Sequence, residues 1–302
     1  MAPSIFDYPP EVLIHILNLL PVHALLKFGE TSHYSRALAN SSLHTLSLGV
    51  HASRVSNIIS QLAETQVSVL IPDAQSYDYP TLLSFHTSLT KSILTRHGGT
   101  LRNLDLSLWT LTIPTAKVIS SLSALRALSI RIEDFPHVRT VPRSGMAVQR
   151  AEQRAAWDIL ASTATFASRL HALRIEGGEV RTTQLAQLLS QSRWCSELWL
   201  CKCIPIGEEL WSWLGSEWQG GPALRILGVM RCGGQLGQNA FDAIGALRNL
   251  QFLSLQGSYG IDSGSIEKIN KEKWHIREVI PPLTPLEEQD GEMIIEVDPA
   301  YM

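Results

Sequence analysis

The sequence predicts an α/β protein in which a short helical segment precedes a solenoid of strand–helix repeats. Two observations carry this prediction. A six-residue apolar pattern recurs along most of the chain at intervals typical of stacked repeats, and the first forty residues space their apolar side chains as amphipathic helices do. The 302 residues are 45% apolar and 18% charged. This composition excludes a chain that is disordered throughout, collagen and coiled coil.

Charge and cysteine content narrow the function classes. The net charge of −3 provides no basic field for a phosphate backbone, so we expect no nucleic-acid partner. No apolar run reaches the roughly 18 to 20 residues that a membrane span requires, so we expect no membrane partner. Four cysteines in so long a chain are not a disulfide framework. We therefore expect a reducing compartment, the cytoplasm or the nucleus.

The N-terminal segment predicts three short helices. In the first helix, apolar side chains at i, i+3, i+4 and i+7 form one face, namely Leu13, Ile16, Leu17 and Leu20. Pro10 suits the first helical position because its missing N–H would be unsatisfied there in any residue, and Pro21 is expected to end this helix. A second turn, residues 24–28, is expected to stop at Gly29. Thr31 or Ser32 is expected to cap a third helix that runs through Leu38.

Residues 8 to about 40 resemble an F-box without gaps. The resemblance rests on the segment from Pro9 to Leu17, on Leu20-Pro21, Leu25-Leu26 and Ser32, and on Arg36-Ala37-Leu38; it departs from the family at Tyr8, Thr31 and Ser35. It implies docking onto a Skp-type adaptor, and through it onto a cullin-based ubiquitin ligase. The implied adaptor contacts are Pro9, Pro10, Glu11, Leu13, Ile16, Leu17, Leu20, Pro21, Leu25 and Leu26. An alternative interpretation is a helical cap that seals the end of the following domain.

The rest of the chain repeats one template, Leu-x-x-Leu-x-Leu with close variants. Its middle positions are separated by 24, 45, 25, 29 and 26 residues, which is the period of a leucine-rich repeat with one insertion. These middle positions are Leu104, Leu128, Leu173, Leu198, Leu227 and Leu253. Weaker flanking copies begin at Leu43, Val67 and Ile276. Stacked repeats of this kind place parallel strands on a concave side and helices on a convex side, and such a concave surface binds other macromolecules. The convex helices are expected at 182–192, 208–214, 240–247 and 263–270.

Two repeats continue into a cysteine at one shared position, Cys203 and Cys232. This ladder, with the segments that follow 203 and 258, resembles the cysteine-containing subtype of leucine-rich repeat, in which that position is buried. A zinc site that begins at Cys201 and Cys203 is the alternative, but no second pair of ligands follows at finger spacing.

Side chains that alternate with the buried leucines are expected to face the concavity. Toward the N-terminus they are polar or charged, and they include Asp105, Arg131 and Arg174. Toward the C-terminus an apolar patch is expected around Trp199, which shares a lateral row with Gly228. The expected target contacts are Asp105, Arg131, Arg143, Arg174, Trp199, Ile226, Met230 and Phe252. The alternative for the apolar patch is that a C-terminal loop or the tail covers it.

Two further segments depart from the repeat. The interval after Leu128 predicts a loop at 134–145 and a helix at 147–163, and its arginines either contribute to the binding face or lie on a solvated helix face. After Pro282 six acidic residues have no basic companion, which predicts a mobile tail; the tail either stays solvated or folds back onto those arginines.

The predicted domains are an F-box at 4–42, a leucine-rich-repeat domain at 43–280 with an insertion at 133–150, and an acidic tail at 281–302. We find no motif for catalysis, a metal or a cofactor, so the chain is not expected to be an enzyme. The F-box resemblance implies a substrate-recognition subunit of a Skp–cullin–F-box ubiquitin ligase. The alternative is a leucine-rich-repeat scaffold with no link to ubiquitin.

Overall fold

One parallel sheet organises the structure, a computed structural model that describes residues 8–20, 22–52, 66–71, 76–132 and 143–282. Nine strands of this described part form the sheet, in the order β2-β1-β3-β4-β5-β6-β7-β8-β9. Their bounds are Thr45–Ala52 (β1), Gln66–Ile71 (β2), Asn103–Leu108 (β3), Ala127–Ile132 (β4), Ala172–Glu176 (β5), Glu197–Cys201 (β6), Ile226–Met230 (β7), Phe252–Ser254 (β8) and Glu278–Ile280 (β9). The predicted α/β class is confirmed, and a single parallel sheet with a helix between most strands is compatible with a solenoid.

Three short helices precede the sheet. They span Pro10–Leu17 (α1), Val22–Glu30 (α2) and His33–Ser42 (α3). Pro10 lies at the first helical position and Ser32 caps α3 by accepting a hydrogen bond from the Ser35 N–H at 3.0 Å, as predicted. The expected stop at Gly29 is wrong, because α2 continues through Gly29 to Glu30. Gly29 instead allows close packing: a Cβ there would lie 3.3 Å from Cβ of Ala39 on α3.

The helices that follow the strands pack on one face of the sheet. Their bounds are Tyr79–His97 (α4), Ile113–Ser120 (α5), Arg143–Thr163 (α6), Thr182–Leu189 (α7), Glu209–Ser212 (α8), Gln238–Ala246 (α9) and Ser263–Ile269 (α10). Single π-helical turns continue α8 and α10, over Trp213–Glu217 and Asn270–Trp274. Helix α6 begins at Arg143, four residues earlier than predicted. Most of the predicted loop before it, namely 134–142, and the tail from residue 283 lie outside the described residues.

The repeat leucines align across the sheet. Leu104, Leu128 and Leu173 are direct partners on β3, β4 and β5, and the same row continues through Leu198, Leu227 and Leu253. All six side chains are buried. Neighbouring side chains in a strand point to opposite faces of the sheet. The residues directly before and after each of these leucines therefore lie on the other face, which we call the open face.

The N-terminal edge of the sheet departs from chain order. Strand β1 pairs with β3, and β2 lies outside β1 rather than between β1 and β3. The flanking repeat copies at Leu43 and Val67 therefore form strands, but they are not stacked in sequence. The connection from β2 to β3 contains α4, a helix of 19 residues, and a connection of this length can cross over β1.

Candidate functional site

The three N-terminal helices form a small packed unit continuous with the sheet. Leu13 and Leu17 of α1 and Leu25 of α2 are buried in the main apolar core, together with Leu38 and Ala39 of α3. Helix α3 is also attached by hydrogen bonds, because the Thr100 hydroxyl group before β3 donates to the carbonyl oxygens of Asn40 (3.1 Å) and Leu43 (2.8 Å). The inward side chains of this unit thus belong to the same apolar core as the sheet.

A second apolar face of the same unit remains exposed. Its side chains are between 39% and 84% exposed, and we call them the N-terminal apolar surface: Tyr8, Val12, Ile16, Leu19, Leu20 and Leu26. Val12 and Ile16 are four residues apart, the spacing that places side chains on one side of α1, and Leu19 and Leu20 lie in the turn that follows this helix. Exposed apolar side chains grouped in this way are typical of a protein–protein contact.

The predicted adaptor residues divide between these two faces. Ile16, Leu20 and Leu26 are exposed, as are Pro9, Pro10 and Glu11, whereas Pro21 lies outside the described residues. Leu13, Leu17 and Leu25 are buried, so these three residues are core residues and are not available as contacts. Sequence reasoning missed Val12 and Leu19. No spacing in the sequence could have identified the exposed side, because Val12 with Ile16 and Leu13 with Leu17 satisfy helical spacing equally.

Charged side chains on the open face pair with one another across the strands. Glu176 on β5 accepts from Arg131 Nε at 2.8 Å and from Lys202 Nζ at 3.1 Å. Arg174 pairs with Glu197 of β6, whose side chain is only 10% exposed. Asp105 accepts a hydrogen bond of 2.8 Å from the Ser47 hydroxyl group on β1. The expected polar half of this face is therefore present, with Asp105, Arg131 and Arg174 exposed.

The predicted arginines of the insertion are only partly described. Arg143 is the first residue of α6, and its side chain lies outside the described residues. Arg150 and Arg154 lie with Nε 3.3 Å and 4.0 Å from the two carboxylate oxygens of Glu179. These exposed pairs are weak in water. They neutralise part of the positive charge of these arginines.

The apolar half of the open face is not the exposed patch that the sequence suggested. Trp199 is 8% exposed, Ile226 2% and Phe252 0%, and the three form a cluster of their own. Met230 and Ile280 border this cluster and are partly buried. The ring centroids of Trp199 and Phe252 are 5.6 Å apart. Trp199, Ile226 and Phe252 pack on one another and are therefore not free target contacts.

The row shared by Trp199 and Gly228 is confirmed by their pairing across β6 and β7. The indole lies directly over the glycine: a Cβ on Gly228 would be 2.2 Å from Cε3 of Trp199. The hollow that a missing side chain leaves at Gly228 is therefore filled by Trp199 itself. It is not a pocket for another molecule.

Cysteine burial and hydrogen bonding indicate a structural role and not a reactive one. Cys203 and Cys232 are buried, and their thiols donate to backbone carbonyl oxygens where the chain leaves β6 and β7, for example Cys232 to Leu200 at 3.4 Å. Burial raises the pKa of Cys195 to about 12 and that of Cys201 to about 11. Thiols with such pKa values carry little thiolate near neutral pH. No group of three metal-binding side chains occurs among the residues that the structure describes.

Fold and surfaces define an α/β protein with one parallel sheet, an exposed apolar surface on its N-terminal helices and a charged open face. Comparison with known proteins finds no match, either to a protein-family model or to a curated protein sequence. Among the described helices, none has both the length and the apolar character needed to cross a lipid bilayer.

Proposed function

We propose that this chain is the substrate-recognition subunit of a Skp–cullin–F-box ubiquitin ligase. In this proposal the N-terminal helices bind a Skp-type adaptor, which connects the chain to a cullin, and the open face of a leucine-rich-repeat sheet binds the target protein. The cytoplasm or the nucleus would be its compartment. The observation that carries the proposal is the N-terminal apolar surface, because its side chains stay exposed although the helices that bear them are packed.

The proposed role needs no catalytic group on this chain. A subunit that holds a target beside the ubiquitin carrier raises the effective concentration of the reacting groups, and transfer accelerates without further chemistry from the subunit. The continuous core between α1 and the sheet supports such a role, because it joins the adaptor-binding and target-binding surfaces without a linker in the described residues.

The adaptor test uses pull-down of the full chain with a purified Skp-type adaptor. Val12→Asp/Ile16→Asp should reduce adaptor affinity at least about tenfold, because a charge would replace apolar contacts at the centre of the surface. The expected fold is unchanged, since both side chains are exposed. Val148→Asp on α6 is the control, because it places one negative charge on another exposed apolar residue, and Ile16→Asp alone is the single-charge variant to compare with it.

Two results would overturn the proposal. One is a wild-type chain that does not retain the adaptor, which would favour a leucine-rich-repeat scaffold with no link to ubiquitin. The other is equal adaptor binding by wild type and by Val12→Asp/Ile16→Asp. Substitution of Leu13 or Leu17 by aspartate would not discriminate, because a charge at either buried position is expected to unfold the helices.

A further inference from the structure

A cavity rich in arginine lies at the edge of the sheet where β3, β4 and β5 begin. Its volume is about 490 Å³. The side chains that line it and carry the argument are Arg102, Arg126, Arg169, His171 and Trp194, and we call it the basic cavity. This cavity lies outside the motifs noted in the sequence and outside the adaptor-binding and target-binding surfaces described above.

The fold places three of these residues side by side. Arg102, Arg126 and His171 occupy the same position of consecutive repeats, each directly before the first residue of its strand. The Arg126 N–H donates to the Arg102 carbonyl oxygen at 2.7 Å, and the His171 N–H donates to the Arg126 carbonyl oxygen at 2.7 Å. Neighbouring strands lie about 4.8 Å apart. The backbones of these three residues therefore lie next to one another, about one strand spacing apart.

Within the described residues, no carboxylate neutralises the positive charge of the basic cavity, and the Arg169 guanidinium group donates only to the Ser123 carbonyl oxygen, at 3.3 Å. No carboxylate is among the lining residues, and no described ion pair involves Arg102, Arg126 or Arg169. Glu197, three residues after Trp194, is paired with Arg174 on the open face. Since guanidinium groups stay charged at every physiological pH, the like charges in this cavity repel one another until an anion enters.

The chemistry of the lining selects the kind of anion. The planar guanidinium group matches phosphate through paired hydrogen bonds, which is why arginine clusters bind phosphorylated side chains. Trp194 is 67% exposed beside these arginines and offers an apolar surface to residues that flank such a phosphate. The cavity lies at the end of the sheet directly before Asn103, Ala127 and Ala172, the first residues of β3, β4 and β5.

We propose that the basic cavity binds a phosphorylated serine or threonine side chain of a protein partner. The proposal rests on the proposed function for the assumption that the chain binds a target protein. A protein-borne phosphate is favoured over a nucleic acid because three arginines line one cavity, whereas the chain as a whole carries −3. A nucleic acid would require positive charge along a continuous track of phosphates.

The test measures retention of peptides on the immobilised full chain. The probe is a degenerate peptide library with a fixed central phosphoserine, compared with the same library containing serine. We expect retention of the phosphoserine library at least about tenfold above that of the serine library, since paired charge-assisted hydrogen bonds are lost without the phosphate. Arg102→Ala/Arg126→Ala should reduce retention to the level of the serine library.

Arg225→Ala is the matched control, because Arg225 occupies the same repeat position and is exposed but does not line the cavity. It should leave retention unchanged. Equal retention of the two libraries, or equal retention by wild type and Arg102→Ala/Arg126→Ala, would overturn the proposal. Binding of a single-stranded RNA oligonucleotide that disappears in the same double variant would overturn it in favour of nucleic acid. The assay contains no adaptor, so its outcome is independent of the adaptor pull-down.

Discussion

Trp199 and Gly228 show how one absent side chain determines the packing of the open face. The indole of Trp199 extends across the neighbouring strand and occupies the space over Gly228. Ile226 and Phe252 then surround it. Any side chain at position 228 would displace the indole, so the glycine is required by contact and not by backbone conformation.

Gly228→Ala should lower the free energy of unfolding by about 1 to 3 kcal/mol, because the new methyl group overlaps the indole and the strand must shift. The measurement is urea denaturation followed by circular dichroism. In a Trp199→Ala background the cost of Gly228→Ala should vanish, since the overlapping atoms are gone. Gly99→Ala is the control because a Cβ at Gly99 meets nothing within 4 Å. An equal cost with and without Trp199 would contradict this account.

The sequence identified the row of Trp199 but not its burial. Strand periodicity assigns a side chain to a face of the sheet, whereas burial on that face depends on how side chains of several strands fold over one another. The same limit applies to α1. Both Leu13 with Leu17 and Val12 with Ile16 satisfy helical spacing, so periodicity predicts the helix and leaves open which side faces the core.

The strand exits form a second repeating element. Where β5, β6 and β7 end and shortly after β8, the chain enters the left-handed region at one equivalent position, namely Gly177, Lys202, Arg231 and Gly257, with φ between 50° and 73°. Two of these residues are not glycine, although this conformation costs other residues about 1 kcal/mol or more. The repeated cost indicates that the turn geometry is fixed by the stacking of the repeats.

Gly177→Ala should lower the free energy of unfolding by about 1 to 3 kcal/mol, through backbone strain and the approach of the new Cβ to the Ile132 carbonyl oxygen at 2.7 Å. Thermal denaturation followed by circular dichroism measures this effect. Gly99→Ala again serves as the control, because it also replaces a glycine by alanine but at a position whose φ is not positive. Unchanged stability of Gly177→Ala would show that the turn can relax without cost to the neighbouring strand.

The strands of the sheet were predicted from the sequence more completely than the order in which they pair. The six clear repeat copies became β3 to β8 in the expected parallel register, because the alternation of buried leucines specifies both strand and face. The position of β2 was not predictable from the same pattern, since pairing partners at a sheet edge depend on the length of the connections. The basic cavity was missed because its arginines belong to different repeats, and aligning the second position of each repeat is the step that would have revealed it.

At the scale of the whole molecule, one apolar core extends from the N-terminal helices to the last strand. Its buried members run from Leu13 on α1 to Ile276 before β9. In an array of repeats, each unit is stabilised by its neighbours. The N-terminal helices therefore belong to the same cooperative unit as at least the first strands of the sheet.

Leu17→Ala should lower the free energy of unfolding by about 2 to 5 kcal/mol, because it removes a buried side chain and leaves a cavity. The loss should appear as a shift of one thermal transition that helices and strands share, measured by calorimetry and circular dichroism. Ile16→Ala, on the exposed face of α1, should change stability little. A separate early transition in Leu17→Ala would contradict the shared core.

The attachment of α3 beside Thr100 has a consequence for any assembly that uses both ends of this chain. Two hydrogen bonds from Thr100 to carbonyl groups near the end of α3, and the apolar core that α3 shares with the sheet, connect the N-terminal helices to the sheet. This connection would set the separation between a partner on the N-terminal apolar surface and a second partner on the sheet. In the proposed ubiquitin ligase, this separation would select which lysines of the target are modified.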